Sequence, residues 1–499
     1  LRTAMLLAAA CIAFNLQAAP KPKKELYVPM DYSTCGYHAS EAAIPDVAVK
    51  AYVAWRAGDC SDKIQQAIDY VAGLKPDKQG HRGCVLLGEG TFIIGKALRI
   101  HASGVVLRGV SRRGTLLQKT GVDRGAAVYV NENLSPSPSP RERGAGKNGN
   151  DNGDTIAVTN ERVEAGGTQL TLQSSEGLKA GNRIHIVRPC TKEWIMSLKM
   201  NDFGGGLDYT GWKATDIDIT WDRTITAING NTITIDAPVT STISKEYGGA
   251  YVVKTNSNSR TEKGSGEISE CGIENLTIEA GIDVDGPGMV TDEDHCWDGI
   301  YINNVRDCWV RKVVFRHLAG SAVNLQKETS RITVEDCLAE EPVSEIGGWR
   351  RQVFLTRGQQ TLFQRCISRH GIHDFAAGFC AAGPNAFVQC EGEESLGFSG
   401  SIGSWAAGLL FDIVNIDGHD LRLANLEQFQ FGTGWNTANS MLWQCTASTI
   451  ECYSPDTLNR NSAHGCWGTL TGNGHWTSSN DHVQPRSLFY HQLEQRLGE

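Results

Sequence analysis

The chain has 499 residues, 40% of them hydrophobic and 21% charged. That balance excludes general disorder and allows one large domain or two to three ordinary ones. The formal net charge of -9 excludes a nucleic-acid binder with a broad basic face, and 55 glycines against 15 prolines suit a turn-rich β protein.

The first 20 residues run from Arg2 through an apolar stretch, Ala4 to Phe14, into small residues. This is the shape of a secretory signal, with cleavage after Ala18 or, in a lipoprotein-like LAAAC box, before Cys11. The expectation is therefore a secreted or periplasmic protein, with an outer-membrane lipoprotein as the alternative, and no later stretch has the length of a membrane span. Residues 21–58 form an N-terminal segment, and residues 59–134 open with DCSDKIQQAIDYVAGL. Ile64, Ala67, Ile68 and Val71 fall on one helical stripe there, with Asp62 and Gln65 as a capping box. Strand-like runs follow to residue 134, then the low-complexity SPSPSPRERGAGKNGNDNGD over 135–154. Residues 155–256 read as an inserted β module, with a hairpin turn at Asn229-Gly230-Asn231.

Over 257–484, short β-rich runs end repeatedly in a polar residue and a cysteine: Cys308, Cys337, Cys366, Cys390 and Cys445, at intervals of 29, 29, 24 and 55 residues. A period in the twenties, built from strands and turns, predicts a β solenoid. Stacked coils lie about 4.8 Å apart, so equivalent positions form columns, and a small buried thiol suits an inward column. These spacings exclude a zinc site. Pairing among Cys35, Cys60, Cys84 and Cys190 is left open. A second plug, residues 485–499, starts at Pro485 and aligns Phe489, Leu493 and Leu497.

The run GCVLLGEGTFIIGKALRIHASGVVLRGVSRRGTLLQKTG (83–121), behind its amphipathic helix, resembles the opening coils of pectin-lyase-like proteins. The resemblance covers most of residues 59–484. It implies an all-β, right-handed parallel β-helix with capping helices at both ends. It also implies a carbohydrate-active protein, since that superfamily holds polysaccharide lyases, glycoside hydrolases, epimerases and phage tailspikes.

With the preceding cysteine as a ruler, His317 lies nine positions on, Glu345 eight, His373 seven and Asp374 eight. Equal phase predicts one face and a groove for a polysaccharide. Trp349 and Trp405, in glycine-flanked turns, are candidates to stack on sugar rings. The first-choice chemistry is a lyase acting on a uronic-acid polysaccharide. Arg350, Arg351 and Arg369 would neutralise the carboxylate, His370 or His373 would take the proton, and a second histidine or a tyrosine would return it. The alternative is a glycoside hydrolase with paired carboxyls drawn from Asp298, Glu345, Asp374, Asp412, Asp417 and Asp420. Polygalacturonase-like motifs are missing, and Gly418-His419-Asp420 is only a partial echo. A non-catalytic carbohydrate-binding protein is the third reading. No cofactor is required; Ca2+ is an optional ligand of the acidic stretch DVDGPGMVTDEDHCWDG (283–299). The expected partner is a polysaccharide or oligosaccharide, without nucleic acid, and the chain is expected to be a monomer.

Overall fold

The computed structural model describes residues 27–132, 155–203, 211–214, 217–255, 266–282 and 292–498. The signal-like residues 1–20 and the low-complexity stretch 135–154 lie outside them. Among the described residues no helix is long and apolar enough to cross a membrane.

Alternating Val, Ile, Leu and Phe form short strands, and the strands of one coil pair in parallel with those of the next. Three stacked sheets result. The first includes Gly83–Leu87, Val105–Gly109, Thr361–Gln364, Asn385–Val388, Leu409–Asp412 and Met441–Trp443. The second includes Gly90–Ile94, Thr115–Lys119, Leu338–Glu340, Ile367–Arg369 and Glu391–Glu393. The third runs through Ala126–Val130, Asp298–Ile302, Val323–Leu325, Gln352–Thr356 and His373–Ala377. Two long strands, Gly272–Ala280 and Val305–Arg316, continue from the first sheet into the second. The chain is a parallel β-helix.

Register defines the thiol column. Leu276 pairs with Val313, and Val314 with Leu338, so Val313 stands over Cys337. The line continues through Cys366, Cys390, Val414, Cys445 and Cys466. Each thiol donates to a carbonyl of the preceding coil, as Cys366 Sγ does to Val334 O at 3.6 Å and Cys445 Sγ to Phe411 O at 3.2 Å. The residue before each rung turns the corner with positive φ: Asp336 at 53°, Arg365 at 52°, Gln389 at 52° and Gln444 at 51°. Hence the polar residue before each cysteine, because a buried apolar side chain has no place at that outward corner. Cys308 does not belong to this line; it pairs with Ile332 and neighbours Cys271 at the preceding corner. Cys35, Cys60 and Cys84 are likewise buried thiols without a disulfide, and Cys190 is buried.

Both ends are closed by helices. In Ser61–Ala72, Ile64, Ile68 and Val71 are buried against the first coil. Its start is held by Asp59, which accepts from Ser61 N at 2.7 Å, and the expected Asp62–Gln65 box is replaced by that turn. The last helix is Leu488–Leu497, capped by Ser487, so Pro485 precedes it. Strands within 155–254 form a six-stranded sheet with its own core around Ile184, Trp221 and Ile233. This module docks through Trp194 and Trp212 on Trp405 of the β-helix.

An N-terminal strap crosses the outside of the first sheet. Tyr37 Oη donates to Glu270 Oε2 at 2.5 Å, His38 Nε2 meets Glu270 Oε1 at 2.8 Å, and His38 N donates to Asp307 Oδ1 at 3.0 Å. Arg331 holds Asp307 with two hydrogen bonds.

Candidate functional site

The outer face of the third sheet carries a half-buried polar patch. In Asp298–Ile302 and Val323–Leu325, alternation places Tyr301 and Asn324 outward while Ile300, Val323 and Leu325 fill the core, and Asp298 joins the patch from the first position of its strand. Asp298 Oδ1 accepts from Ser321 N at 2.9 Å, and its Oδ2 accepts from Asn324 Nδ2 at 2.9 Å. The Asn324 amide is thereby oriented with its oxygen toward two donors, Gln326 Nε2 at 2.6 Å and Arg357 Nη1 at 3.5 Å. Tyr129 and Tyr301 lie side by side, ring centroids 5.5 Å apart. Gly378 leaves room on the next coil, because a Cβ there would collide with the Arg357 stem.

Burial raises the Asp298 carboxyl above its ordinary range, partly offset by the Asn324 and Ser321 hydrogen bonds. Burial also lowers Arg357, while the charges of Asp298 and Tyr301 act the other way. Asp298 is near enough to be felt but makes no ion pair with it. Among the described residues Arg357 has no salt-bridge partner, unlike Arg316, Arg331, Arg350, Arg365 and Arg369.

The other sequence candidates are dispersed. Arg369 and His370 belong to an exposed ladder on the second sheet. Arg316, Glu340, Arg369 and Glu393 alternate up successive coils, with Arg369 bonded to Glu340 at 2.9 Å and to Glu393 at 2.7 Å. At the following corner, His317 pairs with Glu341 at 3.2 Å and His370 with Glu394 at 2.8 Å. His317 is thus equivalent to His370, not to His373, because Val313 rather than Cys308 is its rung.

His373 lies on the third sheet's outer face, in register with Gln352, but it is enclosed. Trp349 stacks over it at 5.7 Å, and Phe398 and Phe429 flank it. Its Nδ1 bonds Phe398 O at 2.7 Å, and burial depresses it to about 4. It is a neutral packing group, which removes it as an accessible base. Asp374 is sealed inside the second-to-third corner, accepting from Ser368 and Ser395 at 2.5 and 2.6 Å, and burial lifts it to about 6.

Glu345 is exposed, its backbone N donating to Glu293 at 3.2 Å. Arg350 is bound to Glu293 at 2.6 Å and lies over Trp297. Arg351 is buried and donates to Ser344 Oγ and O, so no carboxylate of a substrate reaches it. Trp405, expected to be exposed, is fully buried between the module and the β-helix, where a glycine-flanked turn admits its bulk. Asp412 caps the last helix, accepting from Ser487 Oγ at 2.6 Å and Phe489 N at 2.8 Å. Of the acidic stretch, Asp283 and Asp285 lie outside the described residues. Glu293 and Asp294 there are already bound by Arg350 and Arg124. Of the sequence candidates, then, only Asp298 lies in the patch. Tyr301, Asn324, Gln326 and Arg357 were missed; their one signal is polar residues at outward positions of apolar strands, readable only once the register of the third sheet is known.

No family model matches the chain, and no curated protein matches it. Among solved structures, the chain is similar to an alginate lyase from Paenibacillus sp. (9% identity, 86% of this chain and 100% of that one, TM-score 0.40). It is also similar to a polygalacturonase from Erwinia carotovora (9% identity, 89% and 98%, TM-score 0.39). A third likeness is to ORF18 of Geobacillus virus E2 (10% identity, 85% and 57%, TM-score 0.36), of whose length the chain spans little more than half.

Proposed function

We propose that the protein is a carbohydrate-active enzyme, a lyase that cleaves a uronic-acid polysaccharide by β-elimination at the outer face of the third sheet. The observation that carries this reading is Arg357: a half-buried guanidinium without an ion-pair partner among the described residues, beside the amides of Asn324 and Gln326. A uronate carboxylate is planar and anionic, and a guanidinium fork receives it in two parallel hydrogen bonds. Neutralising that carboxylate acidifies the proton on the adjacent ring carbon. Tyr301, on the same face, takes that proton as its phenolate; the carbon–oxygen bond to the leaving sugar breaks, a ring double bond forms, and the phenol so formed returns the proton to the leaving oxygen. Asp298 acts through Asn324, fixing the amide that faces Arg357.

Hydrolysis is the second reading, favoured by the raised Asp298 carboxyl, which suits a general acid. Its weakness is the partner: Asp374 and Asp412 are both committed to buried structural contacts.

The test is a panel of polyuronates, alginate and polygalacturonate among them, followed by ultraviolet absorbance and reducing-end release together. A lyase raises both. Arg357→Ala should lower the rate by about a hundredfold or more, the loss typical of a charge-stabilising group. Reducing ends without absorbance would transfer the assignment to hydrolysis, and full activity in Arg357→Ala would remove the proposed site.

A further inference from the structure

A second surface has binding chemistry, on a different sheet. Exposed Glu391, Asn415, Thr446 and Trp467 stand in register on successive coils along the outside of the second sheet. Trp467 ends the line, 37% exposed. Most tryptophans of the described chain anchor their indole N–H, as Trp443 does on Pro485 O and Trp297 on Glu293 O. That of Trp467 donates to no described residue. Its neighbours are fixed: the His482 ring lies 5.5 Å away, and His482 Nδ1 bonds Gln444 Oε1 at 3.2 Å. The Gln444 amide in turn donates to Arg486 O at 2.6 Å. The Arg486 guanidinium is exposed and makes no ion pair among the described residues. Between them lies an open depression of about 430 Å³ lined by Ile413, Gln444, Thr446, Trp467, His482 and Arg486.

We infer that this depression is a second glycan-binding site that takes an acidic sugar ring of a polyuronate chain, with the ring face on Trp467 and its carboxylate on Arg486. The apolar face of a pyranose, its C–H groups outward, packs on an indole, and a free guanidinium is the natural partner of the ring carboxylate. The volume falls within the range of small-ligand sites. Besides Arg486 the one titratable lining residue is His482, whose ring is held beside Trp467 by Gln444, so the site is assigned binding without cleavage. It tethers the polymer at a place separate from the third sheet's face.

Affinity electrophoresis of the full chain through gels containing alginate, polygalacturonate or neutral dextran tests this in an Arg357→Ala background, which silences the proposed cleavage site. Retardation by at least one polyuronate and none by dextran is expected. Adding Trp467→Ala or Arg486→Gln should weaken that binding about tenfold or more, and Trp467→Phe should retain most of it. Both side chains are exposed, so an unchanged melting curve separates lost binding from lost fold. Three results would each overturn the assignment: no retardation by any polyuronate, equal retardation by dextran, or undiminished binding in the Trp467→Ala variant. Retardation through Trp467 in a protein whose wild type cleaves none of the panel would sink the lyase reading and leave this one standing.

Discussion

Arg369 and Arg357 carry the same guanidinium and differ in what surrounds it. Glu340 and Glu393 bracket Arg369 on an exposed ladder, so its charge is spent on neighbouring coils. Exposed pairs of this kind contribute about 0–1 kcal/mol each. Arg369→Ala should therefore lower stability by about 1 kcal/mol in urea titration and leave turnover on a polyuronate within about twofold. A large loss of turnover, with stability unchanged, would return Arg369 to the site. Sequence shows both arginines equally well. It does not show that one has carboxylates stacked above and below, because those partners lie 24 and 29 residues away and only coil register brings them together. The cluster of titratable residues at 366–375 is accordingly a stretch in which every side chain points somewhere different. Arg369 and His370 join surface ladders, His373 goes under Trp349, and Asp374 goes inside.

The thiol column is the element that sequence shows best, and also where it misleads. Cys337, Cys366, Cys390 and Cys445 do share one line, and the doubled interval between the last two contains Val414 as the missing rung. Cys308 has the right interval by coincidence. The long strand Val305–Arg316 runs through a corner, and the true rung, Val313, lies within it unmarked by any cysteine. That slip aligned His317 with His373, and the longer turn after Cys337, which brings Gln352 rather than Glu345 level with His373, completed the apparent groove of titratable groups. Val313 and Val414 also show what the column tolerates. Cys366→Val should cost less than about 1.5 kcal/mol, since a volume-conserving apolar change meets a site already shaped for it. Cys366→Leu should cost about 1–3 kcal/mol through overpacking against the coils on either side. Denaturant midpoints of the two variants check this, and a Val variant as damaged as the Leu one would mean that the thiol hydrogen bonds to the preceding coil outweigh packing.

For the molecule as a whole, buried titratable groups of opposite sense set how stability follows pH. Burial depresses His373 and His464 from 6.5 to about 4, so between those limits the unfolded chain binds more protons and stability falls as pH falls. Asp374 and Asp412 are raised from 3.8 to about 6 and about 7. Their contribution is fully present below 3.8 and is lost as pH rises through 6 to 7, the opposite slope over the same interval. The contributions of these two histidines and two carboxyls nearly cancel from about pH 4 to 6. Further down, Glu270, which burial would raise but which the strap residues His38 and Tyr37, together with His81 just before Gly83–Leu87, hold at about 2, loses its contribution as pH falls from 4.5 toward 2. Single substitutions unmask the balance. Asp374→Asn removes one carboxyl, so stability should rise with pH by about 1.4 kcal/mol per unit between 4 and 6. His373→Phe removes one histidine, and stability should fall with pH at about the same rate. Each replacement also shifts stability by a constant, through the lost hydrogen bond to Phe398 O in the one case and an amide placed between two serines in the other. The slope is free of that offset. Urea unfolding of the three proteins at half-unit steps from pH 4 to 6.5 gives the slopes directly. Parallel lines for wild type and both variants would mean that neither group changes its protonation on unfolding in this range, and that the buried pairs do not govern the acid stability of the β-helix.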